Sequence, residues 1–262
     1  MNMKMFRIYG SFLLLIFFCL PSFAGTVNCG SGDCTGMLAY WTFEENTGSQ
    51  STDILNSLVM GKAAELSGNW TWTTGIAGYA PQWGVGGNTG GQCNDNSLKI
   101  SGTAITMELW YYPRALTENE VIAGNTPDSN YILRRQLNTN FMHVYLYHLP
   151  INYYGVTAVS SGTWHHLAFT YDGANVILYL DGNVDLTSPE TEAMTAVGGC
   201  TFRVGCYTNS ITDEVAVYNT VLTQAQLQDH RNRALAGNHY CPYTTADPAV
   251  KERKIIQIIN SQ

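Results

Sequence analysis

Residues 163–187 constrain the fold more than any other part of the chain. Two Asp-Gly pairs, Asp172-Gly173 and Asp181-Gly182, each close an apolar and aromatic run. Asp-Gly supplies the positive φ that tight hairpin turns need, so the segment is expected to fold as strand, turn, strand, turn, strand. Within the first strand, Leu167 and Phe169 alternate with Trp164, His166 and Ala168. Both sets are mostly apolar, which implies a strand covered on both faces. His165 and His166 are adjacent and point to opposite sides, so a shared metal is disfavoured and structural roles are expected.

The rest of the chain repeats this texture. Short β-branched and aromatic runs at 37–43, 97–100, 104–112, 131–136, 141–147, 200–206 and 211–218 are bounded by Gly, Asn, Asp and Ser. Helical periodicity is nearly absent, which is an all-β signature. One short helix is expected from Thr223, where Gln226 three residues on completes a capping box and Leu222, Leu227 and Ala234 form an apolar stripe. Residues 84–91 and 188–199 read as surface loops, and no internal repeat is present.

The N-terminus reads as an export signal. Lys4 and Arg7 precede an apolar run over 12–20, and Pro21-Ser22-Phe23-Ala24 then offers a small-residue cleavage site before Gly25. The run is too short to span a bilayer, which takes about 20 residues. Residues 1–24 are therefore expected to be removed, and the mature chain to be secreted, extracellular or periplasmic, with no membrane span. It would carry 11 basic and 20 acidic residues, a net charge of −9. That balance argues against nucleic-acid or anionic-membrane partners, which call for clustered Lys and Arg.

Six cysteines follow the signal: Cys29, Cys34, Cys93, Cys200, Cys206 and Cys241. An even count in an exported chain favours disulfides. An extended 200–206 strand would separate its ends by roughly 20 Å, beyond disulfide reach, so Cys200 and Cys206 are not expected to pair with each other. The short Gly-Ser-Gly-Asp loop suggests Cys29 with Cys34, leaving Cys93 and Cys241 to take one each of Cys200 and Cys206.

The run Gly162-Thr163-Trp164-His165-His166-Leu167-Ala168-Phe169-Thr170-Tyr171-Asp172-Gly173, followed by Leu178-Tyr179-Leu180-Asp181-Gly182, resembles the central hairpin of the laminin G-like family. Ala39-Tyr40-Trp41-Thr42-Phe43-Glu44, Thr106-Met107-Glu108-Leu109-Trp110 and Asp213-Glu214-Val215-Ala216-Val217-Tyr218 resemble its first, Trp-bearing and closing strands, in the order that family would place them. The resemblance implies a concanavalin A-like, two-sheet antiparallel jelly-roll sandwich over 36–235 with one short C-terminal helix. A cystine-bearing segment at 25–35 would precede it, and a partly frayed extension at 236–262 would follow. Members of this fold often carry calcium at a loop rim, which makes Glu44, Glu45, Asp53, Asp95 and above all Asp213 candidate oxygen ligands.

Catalytic machinery is harder to find. No acid spacing suits a glycosidase pair, Glu118-Asn119-Glu120 reads as a solvated turn, and neither a Gly-x-Ser-x-Gly elbow nor an HExxH helix occurs. The aromatic content of 12%, with 16 Tyr and 6 Trp, instead suits stacking against sugar rings. Candidate ligand-binding residues are Trp70 and Trp72, expected to share a face, Tyr145 and Tyr147, likewise two apart, and Tyr153 and Tyr154, expected to be exposed in a loop between Pro150 and Gly155. The leading expectation is a secreted, non-catalytic glycan- or cell-surface-binding module. A glycan-cleaving enzyme and an adhesive protein-binding module are the alternatives. N-terminal sequencing of the exported protein is expected to begin at Gly25, and a start at Met1 would show that the segment is retained.

Overall fold

The computed structural model describes residues 34–55, 58–62, 70–84, 90–116, 120–125, 130–149, 152–196, 198, 200–206 and 208–241. Cys29 and the expected signal segment lie outside the described residues.

Two eight-stranded antiparallel sheets form a sandwich. The first runs β14 (Asn183–Pro189), β13 (Asn175–Leu180), β12 (His165–Tyr171), β7 (Ile105–Pro113), β16 (Ser210–Tyr218), β5 (Tyr79–Gln82) and β4 (Thr71–Thr74), with β1 (Met37–Trp41) also paired to β16. The second runs β11 (Tyr153–Ala158), β10 (Phe141–Leu146), β9 (Tyr131–Arg135), β8 (Glu120–Asn125), β15 (Phe202–Cys206), β6 (Gly91–Cys93), β3 (Val59–Lys62) and β2 (Gln50–Thr52). The fold is the jelly-roll sandwich that the resemblance implies, and the meander at its origin is present. Leu167 pairs with Leu180, and Asp181 and Gly182 turn into β14 at φ 51° and 77°. Residues 97–100, expected as a strand, instead contain a 3₁₀ turn at Asn96–Leu98, because the Asp95 side chain caps it by accepting from Ser97 N at 2.8 Å.

Period-2 alternation fills the space between the sheets. Trp41, Met107, Leu109, Leu133, Val144, Phe169, Phe202 and Val217 share one buried cluster. One ion pair sits inside this core: Arg135 Nε lies 3.3 Å from Glu120 Oε2, and Tyr111 donates its hydroxyl to the same carboxylate. Glu120 is thus a buried strand residue, not part of a solvated turn.

A second apolar layer covers the outside of the first sheet. Tyr40, Trp110, Ala168, Ala216 and Tyr218 pack under Leu227 and Ala234 of the helix α1 (Gln224–Leu235) and under Tyr240. Thr223 caps α1 through the expected box with Gln226. His230 adds a polar anchor: its Nδ1 lies 2.7 Å from Glu108 Oε1, while His166 Nε2 is 3.1 Å from Oε2 and Tyr218 donates to Oε1 at 2.6 Å. All four side chains are buried.

The disulfide differs from expectation. Cys34 bonds Cys241 across 207 residues, which overturns both Cys29 with Cys34 and Cys241 with Cys200 or Cys206. The cause is tertiary: Met37 lies opposite Tyr218, so β1 begins where β16 ends, and the chain returning from α1 passes Cys34. The bond pins the start of the expected C-terminal extension to the sandwich. Cys93, Cys200 and Cys206 are buried free thiols, and burial pushes Cys93 up to about 12 and Cys206 to about 11, out of the reactive range.

Burial alone would raise the Glu108 carboxyl, but His230 and His166 hold it at about 2, from an ordinary value near 4.5. A carboxyl depressed on folding contributes stability above its unfolded value and loses it as pH falls through the folded one. The wild-type protein is therefore expected to lose stability between about pH 4.5 and pH 2. Glu108→Gln, which leaves two histidines without their shared anion, should cost about 3 kcal/mol at neutral pH in a denaturant titration. A cost under about 1 kcal/mol would show that this clamp does not hold the helix.

Candidate functional site: the outer face of the second sheet

The helix α1 packs on the outside of the first sheet, and the candidate site lies on the outside of the second, where Tyr154 is exposed, Tyr145, Arg134 and Gln92 are half-buried, and Ile132 and Cys206 are buried. Alternation sends Tyr131, Leu133 and Arg135 of β9 into the core and Arg134 outward; Phe202 and Val204 of β15 flank an outward Arg203 in the same way. Strand register then lines these side chains up in two rows. Tyr154, His143, Arg134, Val121 and Cys206 are successive partners from β11 to β15. Tyr145, Ile132, Gly124, Arg203, Gln92, Gly61 and Gln50 are successive partners from β10 to β2. No member of either row is Asp or Glu.

The β10–β11 end of the face is aromatic. The His143 and Tyr154 rings stack with centroids 4.4 Å apart and planes 20° from parallel, and His143 Nε2 lies 2.9 Å from Asn152 Oδ1. Burial depresses His143 below the ordinary imidazole value; Asn152 opposes that shift and the Arg134 guanidinium adds to it. The ring is therefore uncharged at neutral pH. Towards the middle the lining becomes polar, and Gln92 Nε2 donates to Asn94 Oδ1 at 2.9 Å.

Of the residues expected to bind ligand, Tyr145 and Tyr154 lie on this face, whereas Tyr153 does not. The segment at 153–158 is an edge strand, so Tyr153 points into the core and donates its hydroxyl to Glu190 Oε2 at 2.8 Å. Gly155, read as a loop signal, serves close approach instead: a Cβ there would fall 2.0 Å from Asp185 Oδ2, and that carboxylate accepts from Val156 N and Thr157 N at 3.1 and 3.0 Å. Tyr147 sits in the turn beyond β10, because the strand ends at Leu146 and His148 takes φ 67°. Trp70 and Trp72 do touch, edge-on at 6.4 Å, but on the first sheet; Trp70 is buried against Trp83, and Trp72 Nε1 donates to Gly48 O at 3.0 Å. Sequence reasoning passed over Arg134, Arg203 and Gln92. Their only local signal is an outward position in an alternating run, and nothing local says that they share a face.

The candidate calcium ligands do not converge. Among the described residues no group of three or more His, Cys, Asp or Glu side chains is placed to hold a metal ion. Each instead ties backbone. Asp213 takes Ile76 N and Ala77 N on Oδ2 and Glu214 N on Oδ1, Asp53 takes Tyr40 N and Leu55 N, Glu45 takes Thr52 N, and Glu44 takes Tyr79 N. Burial, then the Glu214 charge, pushes the Asp213 carboxyl well up, and the backbone donors Ala77 N and Glu214 N oppose that shift. As placed, this donor set does not fit a calcium ion, which takes six to eight converging oxygens.

The family profile described as the concanavalin A-like lectin/glucanases superfamily matches residues 85–228, just over half of the 262-residue chain. The chain belongs to this superfamily. Among solved structures, domain 4 of AbnA, an extracellular arabinanase from Geobacillus stearothermophilus in complex with arabinotriose, is similar at 19% identity and a TM-score of 0.60, with 74% of this chain and 97% of that domain covered. The binding domain of Paraclostridial Mosquitocidal Protein 1 is similar at 13% identity and a TM-score of 0.62, covering 76% of this chain. A botulinum neurotoxin type C structure, titled for dependence of cell entry on two ganglioside molecules, is similar at 11% and 0.59, covering 78% of this chain. The chain spans about half the length of each of these two toxin structures. No curated protein matches the chain significantly by sequence.

This superfamily includes glucanases, and among the described residues one constellation resembles a catalytic relay. Ser160 Oγ lies 3.0 Å from His165 Nε2, and His165 Nδ1 lies 3.0 Å from Asp181 Oδ2, the order of a Ser-His-acid relay. His165 Nδ1 faces a carboxylate, which only accepts, so the imidazole proton sits on Nδ1, and Asp181 Oδ1 also accepts from His166 N at 2.9 Å. The Nε2 lone pair then faces Ser160 N as well, at 3.3 Å. The imidazole thus closes the loop that leads into β12. A fluorophosphonate probe is expected to leave Ser160 unlabelled by mass spectrometry; stoichiometric labelling would make this a nucleophile.

Proposed function

We propose that the protein is a lectin-like, non-catalytic module that acts outside the cytoplasm and binds glycan across the outer face of its second sheet. One observation carries this reading: strand register places Tyr145, the His143–Tyr154 stack, Arg134 and Gln92 together on the outer face of the second sheet. Aromatic faces supply the apolar platform for a sugar ring, and guanidinium and amide groups supply directional donors to its hydroxyls. Binding of arabinotriose by the AbnA domain and of gangliosides by the type C neurotoxin supports glycan recognition on related folds. The binding rows hold no carboxylate, whereas glycoside hydrolysis needs two flanking the scissile bond, so the enzyme reading finds no support on this face. A flat apolar patch, the mark of a protein-binding module, is not what the Arg and Gln centre presents.

Glycan arrays on the refolded mature protein test the reading, run with added calcium and with chelator so that any metal requirement is seen. Tyr145→Ala and Tyr154→Ala are each expected to weaken binding by about 5- to 10-fold, the loss of one stacked ring. Trp70→Ala should lower stability more than affinity. Absence of any glycan bound under either condition, or Tyr variants indistinguishable from wild type, would end this proposal.

A further inference from the structure

Of Tyr145, His143 and Tyr154, only His143 offers a ring atom that accepts a hydrogen bond and cannot donate one. Its contacts decide which nitrogen that is. Nε2 lies 2.9 Å from Asn152 Oδ1, and a carboxamide oxygen only accepts, so Nε2 carries the proton and Nδ1 keeps its lone pair. The stack on Tyr154, at 4.4 Å and 20°, holds the plane of the ring. Nδ1 bonds to no described residue and keeps contact with solvent. The aromatic end of the face therefore presents one oriented acceptor beside two tyrosine rings, and a sugar supplies the matching donor through a hydroxyl.

We infer that His143 Nδ1 accepts a hydroxyl hydrogen from the bound sugar, that Asn152 is the positioning residue that sets its tautomer, and that acid releases the sugar. The inference rests on the glycan-binding reading above and adds the atom that reads a hydroxyl. Register sets Arg134 of β9 on one side of the ring and Tyr154 of β11 on the other, with Asn152 at Nε2. Among the described residues no acid acts on the ring. A proton on Nδ1 would remove the acceptor and set a second cation beside Arg134, where a bound sugar has displaced water. The sugar therefore binds the neutral ring, and affinity is full above the folded value of His143 and falls as pH drops through it. Burial holds that value below the ordinary 6.5, with Asn152 opposing and Arg134 adding to the shift.

The experiment is calorimetry on the mature protein from pH 8 to about pH 4.5, above the range in which Glu108 costs stability, with NMR of the imidazole carbons following His143 itself. Arabinotriose and the tightest glycan from the arrays are the probes. Affinity should fall by about 10-fold or more, with the midpoint of the loss on the His143 titration and below 6.5. His143→Phe keeps a ring for the stack but no acceptor, so it should bind about 5-fold more weakly at pH 8 and show no acid loss. Asn152→Asp sets a carboxylate at Nε2, which raises the imidazole, so the acid loss should begin about one pH unit or more higher. An Asn152 that only supported the fold would leave that midpoint in place. Unchanged Tm values would show that both variants fold. Affinity that stays flat or rises through the His143 titration, or a His143→Phe variant that binds and titrates like wild type, would overturn the inference and leave the glycan reading standing. An Asn152→Asp midpoint equal to that of wild type would overturn the positioning role. Failure of every glycan to bind at pH 8 would overturn both readings.

Discussion

Glu108 is a carboxylate on the outside of a sheet, yet it is fully buried, held there by two histidines and a tyrosine hydroxyl. An acid can be buried at that position only because His166 from β12, Tyr218 from β16 and His230 from α1 converge on it, satisfying its oxygens once water is excluded. The interaction fixes the helix against the first sheet, and the helix in turn covers Trp110, Ala168 and Ala216. A few residues beyond α1, Cys241 closes onto Cys34. The covered side of the sandwich follows from this clamp, which places the one helix among the described residues on the first sheet.

Much of this was legible locally. The Asp-Gly turns, the alternating strand through Leu167 and Phe169 and the Thr223 capping box depend on residues near one another in the chain, where steric and hydrogen-bond preferences act directly. His165 and His166 were read as structural because neighbours on a strand face opposite ways, and each is bonded to its own acid, Asp181 and Glu108. The helix stripe was read correctly for its apolar members but not for His230, whose partner lies 122 residues away.

The errors share one origin. Cys29 was given to Cys34 because the intervening loop could close, but disulfide choice depends on which chain segments meet, and β1 meets the end of α1. Tyr153 was placed in solvent because Gly155 and Pro150 look like a loop, when Gly155 is there to admit the Asp185 carboxylate against an edge strand. Asp213 looked like a metal ligand because an acid in an apolar strand needs compensation. Three backbone N–H groups supply it.

The sequence by itself determined that this chain is a β-sandwich of a recognisable kind, rich in aromatics and acidic on average, since hydrophobic period and turn chemistry are short-range properties. It did not determine where the charge lies. Arg134 and Arg203 are 69 residues apart in the chain and become neighbours on one face only through the pairing of β9, β8 and β15. Net charge is a sum over the whole chain, and a ligand meets a face. Strand register decides which side chains share that face, and register is set by the packed core, where a slip of one residue would send every one of them to the other side.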